Sequence, residues 1–223
     1  RLADEHPHAT LVACGVSLGG NVLVKYLGEP RSDRPASLRA ACAVSVPYDL
    51  ERGSRHISRG FSLVYERSFL RSLRAKALAK RDVFPDRFPP VEAITAIRTL
   101  WEFDDRITAP LHGFADARDY YTRASGKRFV AGIRIPTLLL SAIDDPFLPA
   151  DVLDEVRAAA REAPAVTLQF EPHGGHVGFV VGSSPFRTDS YLATRVPAFL
   201  AQHLDADAHA AAADVLARDP VRG

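Results

Sequence analysis

The chain has 223 residues, a length that suits one large α/β domain better than two small ones. Its composition, 47% hydrophobic and 25% charged, is that of an ordinary globular protein, and no apolar run approaches the roughly 18 residues of a membrane-spanning helix. The formal net charge of +1 gives no reason to expect a nucleic acid or a strongly acidic partner. The first residues lack the pattern of a signal peptide and the chain holds only two cysteines, so we expect a reducing, cytoplasmic setting.

The first part of the chain is predicted to alternate strand and helix. The apolar run at residues 10–16 has the length of a strand buried on both faces of a sheet, and helical spacing follows over residues 18–28. A polar, proline-bearing loop at 29–37 leads to a second buried strand at 38–46, which Pro47 ends. This alternation is typical of a βαβ unit and therefore of parallel strands.

The junction between the first strand and the first helix reads Gly-x-Ser-x-Gly, with Gly15, Ser17 and Gly19 at the fixed positions. A tight turn from strand to helix requires small residues on both sides of the serine and pushes its hydroxyl out above the sheet. The N–H of Leu18 lies at the start of the helix, where an oxyanion would develop. The sequence therefore predicts Ser17 as a nucleophile and the backbone of Leu18 as one oxyanion donor.

Residues 50–132 change to helical periodicity and are richer in arginine and phenylalanine, which predicts an insertion of several helices. Most of the large apolar residues in this segment are expected to form its own core, and some to face a substrate. They are Phe61, Leu63, Val64, Phe69, Leu70, Leu73, Phe84, Phe88, Trp101 and Phe103.

The same insertion carries two charged clusters. A basic run favours a solvated helix face over contact with anionic lipid; it consists of Arg67, Arg71, Arg74, Lys76, Lys80 and Arg81. We expect the acidic cluster of Glu102, Asp104 and Asp105 to hold the insert through hydrogen bonds rather than to perform acid–base chemistry. Its ion-pair partner is expected to be Arg98 or Arg106.

The last part of the chain returns to alternating strand and helix. Residues 137–141 form the apolar body of a third strand, and residues 150–163 have helical spacing with good helix formers. A fourth strand begins the segment 165–176 and runs into a glycine-rich loop. Residues 188–204 are predicted as a closing helix that Pro197 kinks or interrupts.

Chemically useful side chains follow three of the four predicted strands, and the carboxyl ends of parallel strands share one edge of the sheet. Ser17 needs a base and the base needs an orienting acid. Asp145 is the preferred acid because it opens the pattern Asp-x-x-x-Pro, whereas Asp144 is interpreted as a turn former. In the loop His-Gly-Gly-His, the glycines allow the chain to fold back over the sheet, so His176 is the preferred general base over His173.

Other kinds of site are weaker interpretations. His173 and His176 are spaced as a metal pair, but no third ligand with matching spacing is evident, so neither a metal nor another cofactor is expected. No glycine-rich nucleotide motif occurs. Cys14 and Cys42 lie in apolar surroundings and are predicted to be small buried residues rather than a disulfide or a metal site.

Several motifs together resemble the YheT-like branch of the α/β-hydrolases, which includes abhydrolase-domain lipases that act on phospholipids and fungal esterases of medium-chain ethyl esters. The resemblance covers roughly residues 10–182, and one of its motifs is long and unusual. The matching segments are GVSLGGN (15–21), SVPYDL (45–50), EFDDRITAPLHGFADARDYY (102–121), DDPFLP (144–149) and HGGHVGF (173–179). In the family pattern the catalytic triad falls on Ser17, Asp145 and His176, the residues that the strand ends also indicate.

The resemblance implies an α/β-hydrolase fold with a mostly parallel sheet, of which this chain carries the C-terminal strands. The core is then expected at residues 1–49 and 133–204, a helical cap that shapes the acyl pocket at 50–132, and a tail at 205–223. The family has a further segment ahead of this point, with the first strands and a loop that lends the second oxyanion N–H. We therefore expect a C-terminal fragment that is poorly folded or nearly inactive by itself.

The predicted activity is that of a serine hydrolase that cleaves carboxylic esters of short to medium acyl chains through an acyl-enzyme. A phospholipase or lipase at membranes and an alcohol acyltransferase are the alternatives within the same chemistry. A catalytically silent binding module of the same fold is the alternative outside it. The expected partners are a small-molecule or lipid ester and, weakly, a membrane surface; the natural ester and the oligomeric state do not follow from the sequence.

Overall fold

A computed structural model of the protein describes residues 2–184 and 187–204. Its main element is a parallel sheet of four strands in the order β1-β2-β3-β4, so each strand pairs with the next one along the chain. These strands are β1 (Leu11–Val16), β2 (Leu38–Val44), β3 (Thr137–Ala142) and β4 (Val166–Glu171). They confirm the four strands predicted from the apolar runs. An antiparallel hairpin follows, with β5 at Val180–Ser184 and β6 at Arg187–Ser190.

Helices fill the connections between the strands. In the part of the chain that the structure describes they are α1 (Leu2–Glu5), α2 (Leu18–Gly28), α3 (Leu50–Ile57), α4 (Leu63–Val83), α5 (Val91–Ala96), α6 (Leu100–Phe103), α7 (Ala109–Leu111), α8 (Ala117–Ala124), α9 (Val152–Ala160) and α10 (Tyr191–Ala201). A π-helical segment at Asp104–Thr108 joins α6 to α7, and 3₁₀ turns lie at Gly60–Ser62, Pro85–Arg87 and Gly126–Gly132. None of these helices has the length and hydropathy of a membrane span.

The centre of the sheet is covered on both faces, which is why β2 and β3 read as nearly continuous apolar runs. Ala43 and Leu139 point to the face that packs with α2 and α9. Val44 and Leu140, one position further along each strand, point to the opposite face and pack with Phe199 of α10. Burying an aliphatic side chain of this size stabilises the fold by about 1.5–3 kcal/mol. These two layers hold the carboxyl ends of the strands at one edge.

Strand β1 is an outer strand, and one of its faces is open. Val12, Cys14 and Val16 are exposed, so the prediction of a strand buried on both faces is wrong for that face. The reason is the placement of α10, which packs against β2 rather than under β1. Cys42 is buried as predicted, whereas its register partner Cys14 is not, and both thiols are free.

The C-terminal elements differ in extent from the prediction. Residues 187–190 form β6 rather than the start of the closing helix, and α10 begins at Tyr191. The helix continues through Pro197 without interruption. Helix α9 is shorter than the predicted segment 150–163. The predicted tail at 205–223 lies outside the described residues.

The end of the insertion is fastened to the core by polar contacts. The buried side chain of Asn21 in α2 donates to the carbonyl of Ala124 at 2.8 Å and accepts from the N–H of Gly126 at 2.7 Å. The ammonium of Lys127 lies 2.8 Å from a carboxylate oxygen of Asp49 and 2.7 Å from one of Glu155. These contacts fasten α8 and the turn after it to α2, to α9 and to the start of α3.

Candidate active site

Ser17 occupies the turn between β1 and α2 in a strained backbone conformation. Its φ of 53° and ψ of −125° lie outside the regions that residues other than glycine normally adopt. The turn is held because its N–H donates to the carbonyl of Val44 at 2.8 Å and its carbonyl accepts from the N–H of Asn21 at 3.1 Å. The hydroxyl is thereby raised above the sheet edge. Leu18 begins α2, so its N–H is one of the amides that have no acceptor within the helix.

Three glycines surround this turn, and they are not equivalent. A Cβ on Gly15 would lie 2.6 Å from the carbonyl oxygen of Gly19, which forbids any side chain there. A Cβ on Gly19 would meet no described atom within 4 Å, so the prediction that both flanking positions must be small is wrong for Gly19. The second tight position is Gly20, where a Cβ would lie 2.8 Å from the side chain of Val46. The turn is crowded by the start of α2 and by Val46, just after β2, and the sequence pattern does not reveal these contacts.

The imidazole of His176 lies between Ser17 and Asp145. Its Nε2 is 2.8 Å from the Ser17 hydroxyl oxygen, and its Nδ1 is 2.7 Å from a carboxylate oxygen of Asp145. The Asp145 side chain is 1% exposed and the His176 side chain 14% exposed, so both contacts are shielded from water. The other Asp145 oxygen accepts the N–H of Phe147 at 2.8 Å. The structure thus brings the three predicted side chains into one hydrogen-bonded chain.

Asp144, interpreted from the sequence as a turn former, binds the loop that carries His176. One of its carboxylate oxygens accepts the N–H groups of Gly174 and Gly175, both at 2.9 Å. The other lies 3.2 Å from Nδ1 of His173, whose ring is largely exposed. The pKa of the Asp144 carboxyl is held below its usual range, and the hydrogen bond from the backbone N–H of Gly175 is the largest cause. His173 is therefore a partner of Asp144, whereas His176 is a partner of Asp145.

Ser45 also contacts the loop that carries His176, and the sequence did not predict a role for it. It follows β2, is fully buried, and has a positive φ of 51°, which is unusual for a serine. Its N–H donates to the carbonyl of Leu140, and its hydroxyl donates to the backbone carbonyl of His176. A positive φ at a serine cannot be read from a single sequence. The signal available in the sequence was that Ser45 opens the motif SVPYDL at 45–50.

An aromatic contact completes the surroundings of the imidazole. The ring of Phe147 is tilted against that of His176, with 4.5 Å between the centroids. On its other side Phe147 meets Tyr65 and Phe69 of α4 edge to face, at 4.8 and 5.7 Å. The Ser62 hydroxyl donates to the carbonyl of Pro146 at 2.6 Å. The inserted helices are thus in direct contact with the loop that carries Asp145.

A cavity of about 450 Å³ opens beside Ser17 and is lined mainly by the inserted helices. Its apolar wall is formed by Leu18, Pro47, Leu50, Ile57, Phe69, Leu73, Leu100, Phe103 and Phe147. Its polar lining includes Asp104, whose carboxylate accepts the Tyr121 hydroxyl at 2.6 Å. Burial raises the pKa of the Asp104 carboxyl, and burial raises the pKa of Tyr120 to about 12. The cavity is therefore an apolar pocket with one polar wall.

The structure shows where the apolar set and the acidic cluster of the insertion lie. Of the apolar set, Phe69, Leu73 and Phe103 line the cavity, while the others pack within the insert or are exposed. The acidic cluster does hold the insert by hydrogen bonds: Asp105 accepts the N–H of Ala117. Glu102 likewise accepts a backbone N–H, that of residue 98. The expected side-chain ion pair with Arg98 or Arg106 is not formed among the described residues.

The described side chains do not form a metal site. Within residues 2–184 and 187–204, no three or more His, Cys, Asp or Glu side chains converge where a metal ion could bind. Because His173 and His176 turn to different carboxylates, 3.2 and 2.7 Å away, they do not form the pair that their spacing would allow.

Comparison with known proteins gives consistent relatives. The family model described as alpha/beta hydrolase fold matches residues 1–183. The YheT protein of Escherichia coli (strain K12) is 39% identical over 206 residues, which is 92% of this chain and 59% of that protein. Mouse phospholipase ABHD3 is 33% identical, covering 81% of this chain and 43% of its own length. The monoacylglycerol lipase of Saccharomyces cerevisiae is 33% identical, covering 80% and 40%.

Solved structures agree on the fold. An esterase of Pyrococcus furiosus, Pf2001, superimposes with a TM-score of 0.50 at 14% sequence identity, over 92% of this chain and 58% of that one. At this identity the likeness shows the fold alone. The chain spans about half the length of the curated relatives it matches.

Proposed function

Because the chain belongs to the alpha/beta hydrolase family and its relatives include lipases, we propose that it is a serine hydrolase that cleaves carboxylic esters through an acyl-enzyme. The observation that carries this proposal is the continuous hydrogen-bonded chain from the Ser17 hydroxyl through His176 to Asp145, at 2.8 and 2.7 Å. Both distances are within the range needed for proton transfer. A strained turn beneath the hydroxyl is a second support, since strain of this kind is typical of nucleophile turns.

In the proposed reaction, Ser17 attacks the ester carbonyl while Nε2 of His176 takes its proton. The resulting imidazolium is stabilised by Asp145, which also keeps the proton on Nδ1. Collapse of the tetrahedral intermediate expels the alcohol, and His176 returns the proton to the alcohol oxygen. Water then attacks the acyl-enzyme with His176 again as the base, which releases the acid and restores Ser17.

The negative oxygen of the tetrahedral intermediate needs preorganised donors. Under this proposal the N–H of Leu18 is one of them, because it starts a helix of 11 residues and is adjacent to the nucleophile. Each such donor typically contributes about 10²–10³ in rate. An alcohol that enters the cavity in place of water would accept the acyl group instead, so acyl transfer follows the same route.

The substrate class follows from the cavity. Its apolar wall suits an acyl chain, and its volume of about 450 Å³ is towards the small end of the range for ligand pockets. We therefore assign short to medium acyl chains, with residues 50–132 acting as the cap and residues 1–49 and 133–204 as the core. The contacts of Phe69 and Phe147 around His176 support a cap that shapes the site.

Hydrolysis of a series of p-nitrophenyl esters of increasing acyl length tests the proposal. We expect kcat/KM to peak at a short or medium chain and to fall at least about 10⁴-fold in Ser17→Ala. Asp145→Asn keeps the shape of the acid and should also lose activity, because the imidazole then loses its charged partner. Equal rates in all three forms, or no hydrolysis of any chain length by the folded full-length protein, would overturn the proposal, and the second outcome would favour a silent binding module.

A further inference from the structure

The 3₁₀ turn at Gly60–Ser62 and the first turns of α4 together expose an unusual amount of apolar surface. Phe61 is 76% exposed, Val64 57%, Phe69 42% and Tyr65 39%. Tyr65 and Phe69 are four apart in α4, and Phe61, in the 3₁₀ turn that leads directly into α4, contacts Tyr65 and is three residues before Val64, so the four share one side of this helical segment. Isolated exposed apolar residues are common, but four on one side form a patch. We refer to Phe61, Val64, Tyr65 and Phe69 as the α4 patch.

The α4 patch is continuous with the candidate active site. The rings of Phe61 and Tyr65 are 6.0 Å apart, and Tyr65 in turn contacts Phe147 at 4.8 Å. Phe147 packs on the imidazole of His176, and Phe69 itself lines the cavity beside Ser17. A molecule that covers the patch is therefore adjacent to the cavity entrance.

Positive charge flanks the patch. Arg67 and Arg71 are exposed, and neither has a carboxylate partner in the described part of the chain. Arg67 follows Val64 by three residues and Arg71 by seven, so both lie along the patch. The only acid in these turns, Glu66, is buried and accepts from the Ser58 hydroxyl and the Leu100 N–H. The surface around the patch is thus apolar and cationic.

The second half of α4 behaves differently, which divides the basic run of the sequence analysis. Arg74 donates to the carbonyls of residues 95 and 97, and Arg81 donates to the carbonyl of Pro89. These arginines stabilise the insert through backbone carbonyls. Arg67 and Arg71 have no such internal role among the described contacts, and they remain available to an external anion.

The patch is separate from the open edge of the sheet. Ser62 at its base is bonded to Pro146 in the loop after β3. The outer strand whose face is exposed is β1, and β2 lies between it and β3. The patch therefore lies on the inserted helix beside the loop after β3, away from the exposed face of β1.

We propose that the α4 patch docks the protein on a lipid surface that contains anionic phospholipid. Apolar side chains enter the interface between headgroups and acyl chains, while Arg67 and Arg71 bind the lipid phosphates. Docking would bring the cavity entrance to a source of lipid esters. The benefit of docking therefore rests on the proposed ester hydrolysis, whereas binding to lipid can be measured without it. A second protein chain would not require the arginines beside the patch.

Vesicle flotation tests the docking directly. The two probes are vesicles of equal parts phosphatidylcholine and phosphatidylglycerol, and vesicles of phosphatidylcholine alone. We expect binding to the anionic vesicles, with partitioning reduced at least about tenfold in the double variant Phe61→Ser/Val64→Ser. The matched control is Val83→Ser, which removes a side chain of 65% exposure about 28 Å away along the same helix and should bind like wild type.

The charge contribution is tested in the same assay. Arg67→Gln and Arg71→Gln should each lower binding to the anionic vesicles about fivefold, and added salt should weaken wild type more than the variants. Lys80→Gln removes the same charge about 20 Å beyond Arg67 and about 14 Å beyond Arg71 along α4 and should have little effect. Equal binding by all variants, or no binding by wild type, would overturn the proposal.

Hydrolysis of p-nitrophenyl acetate in solution separates this proposal from the proposed function. None of the substituted residues lines the cavity, so the variants should keep the wild-type kcat/KM. If no form, including wild type, binds vesicles while all forms still hydrolyse p-nitrophenyl acetate, the docking proposal is overturned and the proposed function is not. A second outcome would also overturn the docking proposal. If the wild type forms a dimer in sedimentation velocity, the double variant Phe61→Ser/Val64→Ser is monomeric, and neither binds vesicles, the patch is an interface with a second copy of the chain.

Discussion

At the scale of single residues, the loop that carries His176 is held at two points that do not touch the reacting atoms. Asp144 accepts two N–H groups on one side of the loop, and the Ser45 hydroxyl donates to the His176 carbonyl on the other. Ser45 is buried and strained, whereas Asp144 is partly exposed. A general base must be held within a fraction of an ångström, because a small displacement lengthens the proton transfer. We therefore regard Ser45 as a positioning residue for His176.

Substitution of Ser45 tests this role. Ser45→Ala removes the hydroxyl and keeps the strained φ, whereas Ser45→Gly removes the hydroxyl and relieves the strain. If the hydrogen bond to the His176 carbonyl matters, kcat should fall about tenfold in both variants while KM changes less than about twofold. The measurement is steady-state kinetics on a soluble ester, with melting temperatures as the control for folding. A fully active Ser45→Gly would assign the residue to backbone strain alone.

At the scale of elements, the junction of β1 and α2 depends on which glycines are crowded by neighbouring backbone. Gly15→Ala must push a methyl group into the Gly19 carbonyl, so we expect a stability loss of about 1–3 kcal/mol and at least about a 100-fold loss of esterase activity. Gly19→Ala has free space and a helical position, so it should keep stability within about 1 kcal/mol or gain slightly. Urea unfolding and ester hydrolysis of the two variants provide the comparison. Equal damage by both would contradict this structural distinction.

The π-helical segment between α6 and α7 carries a buried carboxyl with a pH-dependent cost. Burial raises the pKa of Asp104, so ionisation is harder in the folded chain than in the unfolded chain. The cost is absent at a pH below the unfolded pKa and grows as the pH rises to the folded pKa. Asp104→Asn keeps an acceptor for the Tyr121 hydroxyl and should therefore gain unfolding free energy relative to wild type on going from pH 4 to pH 7. Urea unfolding at the two pH values measures this; a pH-independent difference would contradict it.

At the scale of the whole molecule, the sequence predicts those features that depend only on the order of strands and helices along the chain. Ser17, Asp145 and His176 could be brought together from the sequence because parallel strands in chain order present their carboxyl ends at one edge. The family resemblance pointed to the same residues. The exposure of Cys14 could not be predicted, because it depends on where α10 lies under the sheet.

Contacts between distant segments account for the other differences. Ser45 needed the neighbouring strand and the His176 loop to be in place before its role was visible. Asp144 lies in a turn as predicted, but its bonds to Gly174 and Gly175 could not be predicted because these residues are 30 and 31 positions away. The hairpin of β5 and β6 replaced the start of a predicted helix because cross-strand pairing with residues 180–184 competes with local helical spacing.

The proposed mechanism depends on the Ser17 hydroxyl as the nucleophile, and labelling with a fluorophosphonate is the most direct test of that role. A fluorophosphonate reacts with a serine only when a neighbouring base activates it. We expect a single adduct on the peptide that contains Ser17, no adduct in Ser17→Ala, and much slower labelling in Asp145→Asn. A single adduct on a different residue, or a folded protein that hydrolyses esters with Ser17 unlabelled, would contradict Ser17 as the nucleophile.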